Sequence, residues 1–222
     1  MNRMEHSTQD LRAAASGHRR HVRIVALGDE LLSGVGDPRA LGWFGRVISK
    51  TPIDGLTLEH YALAMPGEGT EALSERWQDE TVARFSGATL DGGTPERHLV
   101  IALNDTDLYS ATSSARSRLN LANILDRASQ EGIRCLVLGP VPTLDAERNQ
   151  RISELNAAYR DVASRRSHVY VDAYTPLVGH EQWRSDLAGN GGLPGQAGYG
   201  LIAWLVLHRG WYPWLGLQEP VA

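Results

Sequence analysis

The segment from Val22 to Val47, VRIVALGDELLSGVGDPRALGWFGRV, constrains the fold more than any other part of the chain. Its apolar run of Val22, Ile24, Val25, Ala26 and Leu27 stops at Gly28 and gives way to Asp29 and Glu30. A short apolar run ended by a turn residue reads as a buried parallel strand, and the amphipathic stretch from about Arg39 to Ser49 reads as the helix that follows. This order leaves Gly28, Asp29 and Glu30 at the carboxyl end of a strand, where open α/β sheets bind their ligands.

The pattern then repeats along the chain. TPIDG reads as a turn and LTLEHYALA as a second strand, closed by Met65, Pro66 and Gly67. From Thr70, a plausible N-cap, TEALSERWQDETVARF sets Leu73, Trp77, Val82 and Phe85 near helical spacing. HLVIAL is a third strand ending at Asn104 and Asp105, and the helix after it carries apolar Leu119, Ile124 and Leu125 and ends with Gly132 in the C′ position. IRCLVLG is strand four, and the helix over DAERNQRISELNAAYRDVASR places Ile152, Leu155 and Tyr159 on one side. HVYVDAY is strand five, and GQAGYGLIAWLVLHRG is a last helix with a strongly apolar face. Alternating strands and helices of these lengths imply right-handed crossovers and a parallel sheet covered on both faces. The aromatic tail WYPWLG reads as a segment packing back onto the sheet.

At 222 residues the chain suits one domain. Residues 1–20, polar and without periodicity, read as a flexible tail, and 21–222 as the single domain. A formal charge of -4 argues against nucleic acid as a partner. No stretch approaches the roughly 18 consecutive apolar residues of a membrane span. The first residues carry scattered charges and no apolar core, which gives a cytoplasmic expectation. Cys135, the sole cysteine, lies in an apolar run and reads as a buried hydrophobe. No motif calls for a metal or a cofactor; carboxylates at Asp29, Glu30, Asp105 and Asp107 on neighbouring loops are more simply solvated.

Three loops fall at strand ends: GDE at 28–30, PGEGT at 66–70 and ALND at 102–105. With GNGGLPGQAGY near the end, they resemble the four sequence blocks of the SGNH hydrolases, also called GDSL lipases and esterases. The resemblance covers nearly all of the chain after residue 20 and implies a three-layer α/β/α, flavodoxin-like fold with a five-stranded parallel sheet. In that family the first block supplies a nucleophilic serine, the second a glycine amide and the third an asparagine side chain for the oxyanion hole. The last block, Asp-x-x-His-Pro, supplies the acid and the base. Gly28 and Asp29 match the first block, Gly67 the second and Asn104 the third, while Pro194, Gly198 and Tyr199 match the frame of the last.

The departures lie in the chemistry. Glu30 stands at the serine position, Asn190 at the aspartate and Leu193 at the histidine, and Ala102 replaces the glycine that usually opens the third block. A serine nucleophile depends on an adjacent base, and here the nucleophile and the base are both replaced. The resemblance therefore implies an esterase or lipase by descent that binds a small-molecule ester or carbohydrate-like ligand with little or no turnover, Glu30 reaching Gly67 and Asn104 to plug the oxyanion hole. The alternative is an active acyl or carbohydrate esterase that uses Glu30 with a water, or a relocated histidine, His180 or His208. Blander readings stand beside these: Glu30 as a solvated strand-end residue, Asn104 as an Asx-turn residue, and Gly67 as a requirement of backbone shape.

Overall fold

In the computed structural model, residues 19–89 and 92–220 are described. The strands are β1 (Arg20–Gly28), β2 (Leu56–Ala64), β3 (Glu96–Ala102), β4 (Arg134–Leu138) and β5 (Val169–Val171). They form one five-stranded sheet in the order β2-β1-β3-β4-β5, and every pairing is parallel. The helices are α1 (Glu30–Ser33), α2 (Gly42–Ser49), α3 (Thr70–Phe85), α4 (Ser114–Gln130), α5 (Ala146–Ser164), α6 (Tyr174–Leu177), α7 (Glu181–Gly189), α8 (Gln196–Val206) and α9 (Tyr212–Trp214). A π-helical turn, Leu207–Trp211, joins the last two.

Alternation along the strands explains the three layers, because successive side chains leave opposite faces. Val22, Ile24 and Ala26 of β1 join a core beneath α2, α8 and the C-terminal aromatics. Val25 and Leu27 join the other core, under α3, α4 and α5. Cys135 lies in this second core, its thiol pushed up to about 12 by burial. At the end of β1, Gly28 stands opposite Ala102 in register. A Cβ at position 28 would come within 2.7 Å of the Ala102 carbonyl oxygen and 2.9 Å of its Cβ, so only glycine fits beside that alanine. Among the described residues, no helix is long and apolar enough to cross a membrane.

Several expectations need correction. Residues 1–18 of the expected tail lie outside the described residues, but Arg20 belongs to the domain: it opens β1, pairs with Glu96 at 2.7 Å and donates to the Leu215 carbonyl. Helix α2 begins at Gly42, not near Arg39, because the Asp37 carboxylate accepts the N–H groups of Arg39, Leu41 and Gly42 and holds the approach as a turn. The short helix α1 was not expected at all; Asp29 caps it by accepting the Leu31 N–H. Gly69, not Thr70, is the N-cap residue of α3. Val82 and Leu119 face solvent despite their helical spacing, at 55% and 49% exposure. The aromatic tail packs against the sheet: Trp211 donates to Thr51 Oγ1 at 2.9 Å, and the Trp214 ring meets the His98 ring edge-on at 4.8 Å.

Candidate active site

Parallel strands end on one edge, so the loops after β1, β2 and β3 are neighbours there. Strand β1 lies between the other two, at the point where the chain order reverses and such sheets form a crevice. Gly28 and Ala102 are register partners, and the residues just beyond them meet: Asn104 Nδ2 donates to Asp29 Oδ2 at 2.7 Å. The other Asp29 oxygen accepts the Leu31 N–H at 3.0 Å. Burial pushes the Asp29 carboxyl up to about 6, the bond from Asn104 opposes this, and the nearby Glu30 charge adds to it.

Glu30 reaches across to the loop after β2, where its Oε2 accepts the Gly67 N–H at 2.7 Å. Gly67 has φ +66°, and a Cβ there would meet nothing within 4 Å, so backbone conformation and not space calls for glycine. The Gly67 N–H is thus taken by a carboxylate in this chain. The expected second contact is absent: Asn104 bonds to Asp29 and not to Glu30, whose carboxylate is turned to the Gly67 N–H. An amide nitrogen carries two hydrogens, so Asn104 keeps one for another acceptor.

Glu30, Asn104 and Leu193 line one cleft of about 410 Å³, together with Leu31, Asp105, Arg148, Trp183 and Pro194 among others. Asn190 follows α7, and its Nδ2 donates to the carbonyls of Gly36 at 3.0 Å and Leu193 at 3.1 Å. That amide ties the last block to the loop after α1. A wider hollow of about 700 Å³, lined by Asn190 among others, contains none of Glu30, Asn104 or Leu193. The frame of the last block is held by Asp186, whose Oδ2 accepts the N–H groups of Gly195 and Gly198 at the start of α8. Tyr199 donates to the Val35 carbonyl at 2.7 Å.

Neither candidate for a relocated base reaches the cleft. His180 caps α7 by accepting the Trp183 N–H, and His208 stacks on Trp204 beside Glu219. Among the described residues no histidine lines the cleft. The four loop carboxylates also have separate partners: Asp29 has Asn104, Glu30 has Gly67, Asp105 has Arg148, and Asp107 has Thr70 and Tyr159. No group of three or more His, Cys, Asp or Glu among the described residues is placed to hold a metal. The pairings of Asp105, Asp107 and Asp186 escaped the sequence, since each partner comes from another element and a lone aspartate carries no periodic signal.

Two buried groups predict how stability depends on pH. His98 on β3 is fully buried, and burial, with Arg134 second, pushes it down to about 4; the Glu96 backbone and charge and the Trp214 backbone act the other way. A depressed folded value gives stability that is present above about pH 6.5 and lost as pH falls to about 4, on the order of 3 kcal/mol. Asp29 has the opposite sign: its contribution is present below its ordinary value of 3.8 and is lost as pH rises to about 6. The two slopes oppose each other over the same window. The His98→Phe variant is therefore expected to lose less stability than the unmodified protein between about pH 7 and about pH 4, by about 3 kcal/mol, in urea titrations at each pH. An unchanged pH slope overturns this assignment.

The GDSL-like Lipase/Acylhydrolase family model matches residues 26–201. A search of curated proteins found no match. Among solved structures, a lipase/acylhydrolase from Enterococcus faecalis is 20% identical, with 90% of this chain and 100% of that chain covered and a TM-score of 0.66. Axe2, an acetylxylan esterase from Geobacillus stearothermophilus, is 14% identical over 92% of this chain and 99% of its own, with a TM-score of 0.68. LAE5, an alpha/beta hydrolase enzyme from the metagenome of Lake Arreo, Spain, is 17% identical over 87% and 97% of the two chains, with a TM-score of 0.65. At these identities the likeness to the solved structures is one of fold.

Proposed function

The chain belongs to the GDSL-like lipase/acylhydrolase family, and we propose that within it the protein is a binding member: an esterase or lipase by descent whose cleft holds a small molecule with little or no turnover. The observation that carries this reading is the bond from the Gly67 N–H to the Glu30 carboxylate. Oxyanion-hole donors work by meeting negative charge as it develops. Here a resident negative charge already takes one donor and opposes the arrival of another. Acyl transfer by the family's route also needs a base beside the nucleophile. Leu193 accepts no proton, and the Asn190 amide is committed to two backbone carbonyls.

Relatives of this fold described as an acetylxylan esterase and a lipase/acylhydrolase support an ester-cleaving ancestry. The test is release of p-nitrophenol from p-nitrophenyl acetate and butyrate by the unmodified protein. No release above the buffer rate is expected. Saturable release that disappears in a Glu30→Gln variant overturns the reading and establishes an esterase that uses Glu30 with water.

A further inference from the structure

We propose that this cleft selects a small ligand bearing a primary ammonium group, held by Glu30, in place of the neutral ester that a serine at that position would meet. The inference rests on the reading of the cleft as a binding site and names the class of ligand.

Four charged side chains line the cleft: Glu30, Asp105, Asp145 and Arg148. Three are accounted for. Arg148 grips Asp105 through Nε and Nη2 at 2.5 and 2.9 Å. Asp145 caps α5, accepting the N–H groups of Glu147 and Arg148, where the helix start favours negative charge. Glu30 has only the single bond from Gly67, through Oε2, and no ion pair with a described cation. Behind it Asp29 is buried, so that end of the cleft carries a negative field. Apolar side chains of Leu31, Val141, Leu187 and Leu193 line the same cleft.

These features sort ligands by charge. A carboxylate is repelled from Glu30. A neutral ester shields Glu30 from water and returns no donor, which leaves an ionised group poorly solvated. A primary ammonium returns both charge and N–H donors, and such charge-assisted bonds are the stronger ones; a quaternary ammonium returns the charge without the donors. An alkyl body then lies along the leucine and valine wall.

Isothermal titration calorimetry of the full chain at neutral pH tests this with four probes: n-butylammonium, butyltrimethylammonium, butyrate and ethyl butyrate. Saturable binding of n-butylammonium is expected, at least about tenfold tighter than each of the others, and weaker in high salt. Glu30→Gln, which retains an acceptor for Gly67, should weaken it by about tenfold or more, while Glu75→Gln on the exposed face of α3 leaves it unchanged. Equal or tighter binding of butyrate or ethyl butyrate, no saturable binding of n-butylammonium, or full retention in Glu30→Gln overturns the inference; the probe comparison in the unmodified protein needs no variant to fold. Ester turnover by the unmodified protein refutes the binding-member reading whatever the amines do. Absence of turnover together with absence of amine selectivity refutes this inference alone.

Discussion

The variant carrying Glu30→Ser, Asn190→Asp and Leu193→His together is expected to hydrolyse p-nitrophenyl butyrate at least about 100-fold faster than the buffer rate, which the unmodified protein is expected not to exceed. Replacing Glu30 by serine frees the Gly67 N–H, and Asn104 still has an amide hydrogen to offer, since only one is committed to Asp29. Glu30 and Leu193 line the same cleft, so the new hydroxyl and imidazole share it. Asn190 Nδ2 lies 3.1 Å from the Leu193 carbonyl, so position 190 is beside the segment that carries the imidazole; an aspartate there gives up that bond, having no N–H to donate, and turns to the imidazole N–H. Triad members act as a unit and their losses are strongly non-additive. Glu30→Ser alone, or the Asn190→Asp, Leu193→His pair alone, should therefore gain almost nothing. Steady-state kinetics with circular dichroism as the check on folding measures this. A folded triple variant no faster than the unmodified protein means that the cleft is not an emptied triad.

The parts legible in the sequence are those with a periodic or local signal. The near-continuous apolar runs of β1, β3 and β4 are written in the residues, because each strand buries both faces, and the glycine, proline and carboxylate punctuation marks the strand ends. Gly132 in the C′ position after α4 was visible for the same local reason, and it has φ +69°. The Glu30 side chain meets Gly67 across 37 positions, a pairing suggested only because the family frame aligns both loops. What stayed hidden depends on geometry in three dimensions. Which of two adjacent carboxylates takes Asn104 is decided where the loops leave the sheet: buried Asp29 meets Asn104, and Glu30 reaches across the sheet edge to the β2 loop. Thr70 reads as an N-cap by residue type, yet its hydroxyl is claimed by an aspartate from another loop. Spacing likewise placed Val82 and Leu119 near an apolar stripe, whereas packing against the sheet turned both outward.

That aspartate is the basis of the last expectation. Asp107 lies in the 3-10 turn Thr106–Leu108, just after the loop that carries Asn104, and is nearly buried. Its Oδ1 accepts the Thr70 N–H at 2.9 Å, and its Oδ2 accepts the Thr70 hydroxyl at 2.6 Å and the Tyr159 hydroxyl at 2.9 Å. Thr70 opens α3 immediately after the Gly67 loop, and Tyr159 belongs to α5. One carboxylate thus fastens the second-block loop to the third-block loop and both to a helix. Gly69 is part of the same fit, because a Cβ there would collide with the Asp107 carboxylate. In Asp107→Ala three buried donors lose their acceptor, and unsatisfied buried groups are expensive. Urea unfolding of that variant should show a loss of about 3 to 5 kcal/mol. Asp107→Asn keeps one acceptor oxygen without the charge, so a smaller loss of about 1 to 3 kcal/mol is expected. If Asp107→Ala is as stable as Asp107→Asn, the donors find other acceptors, and the two loops are positioned by the sheet register alone.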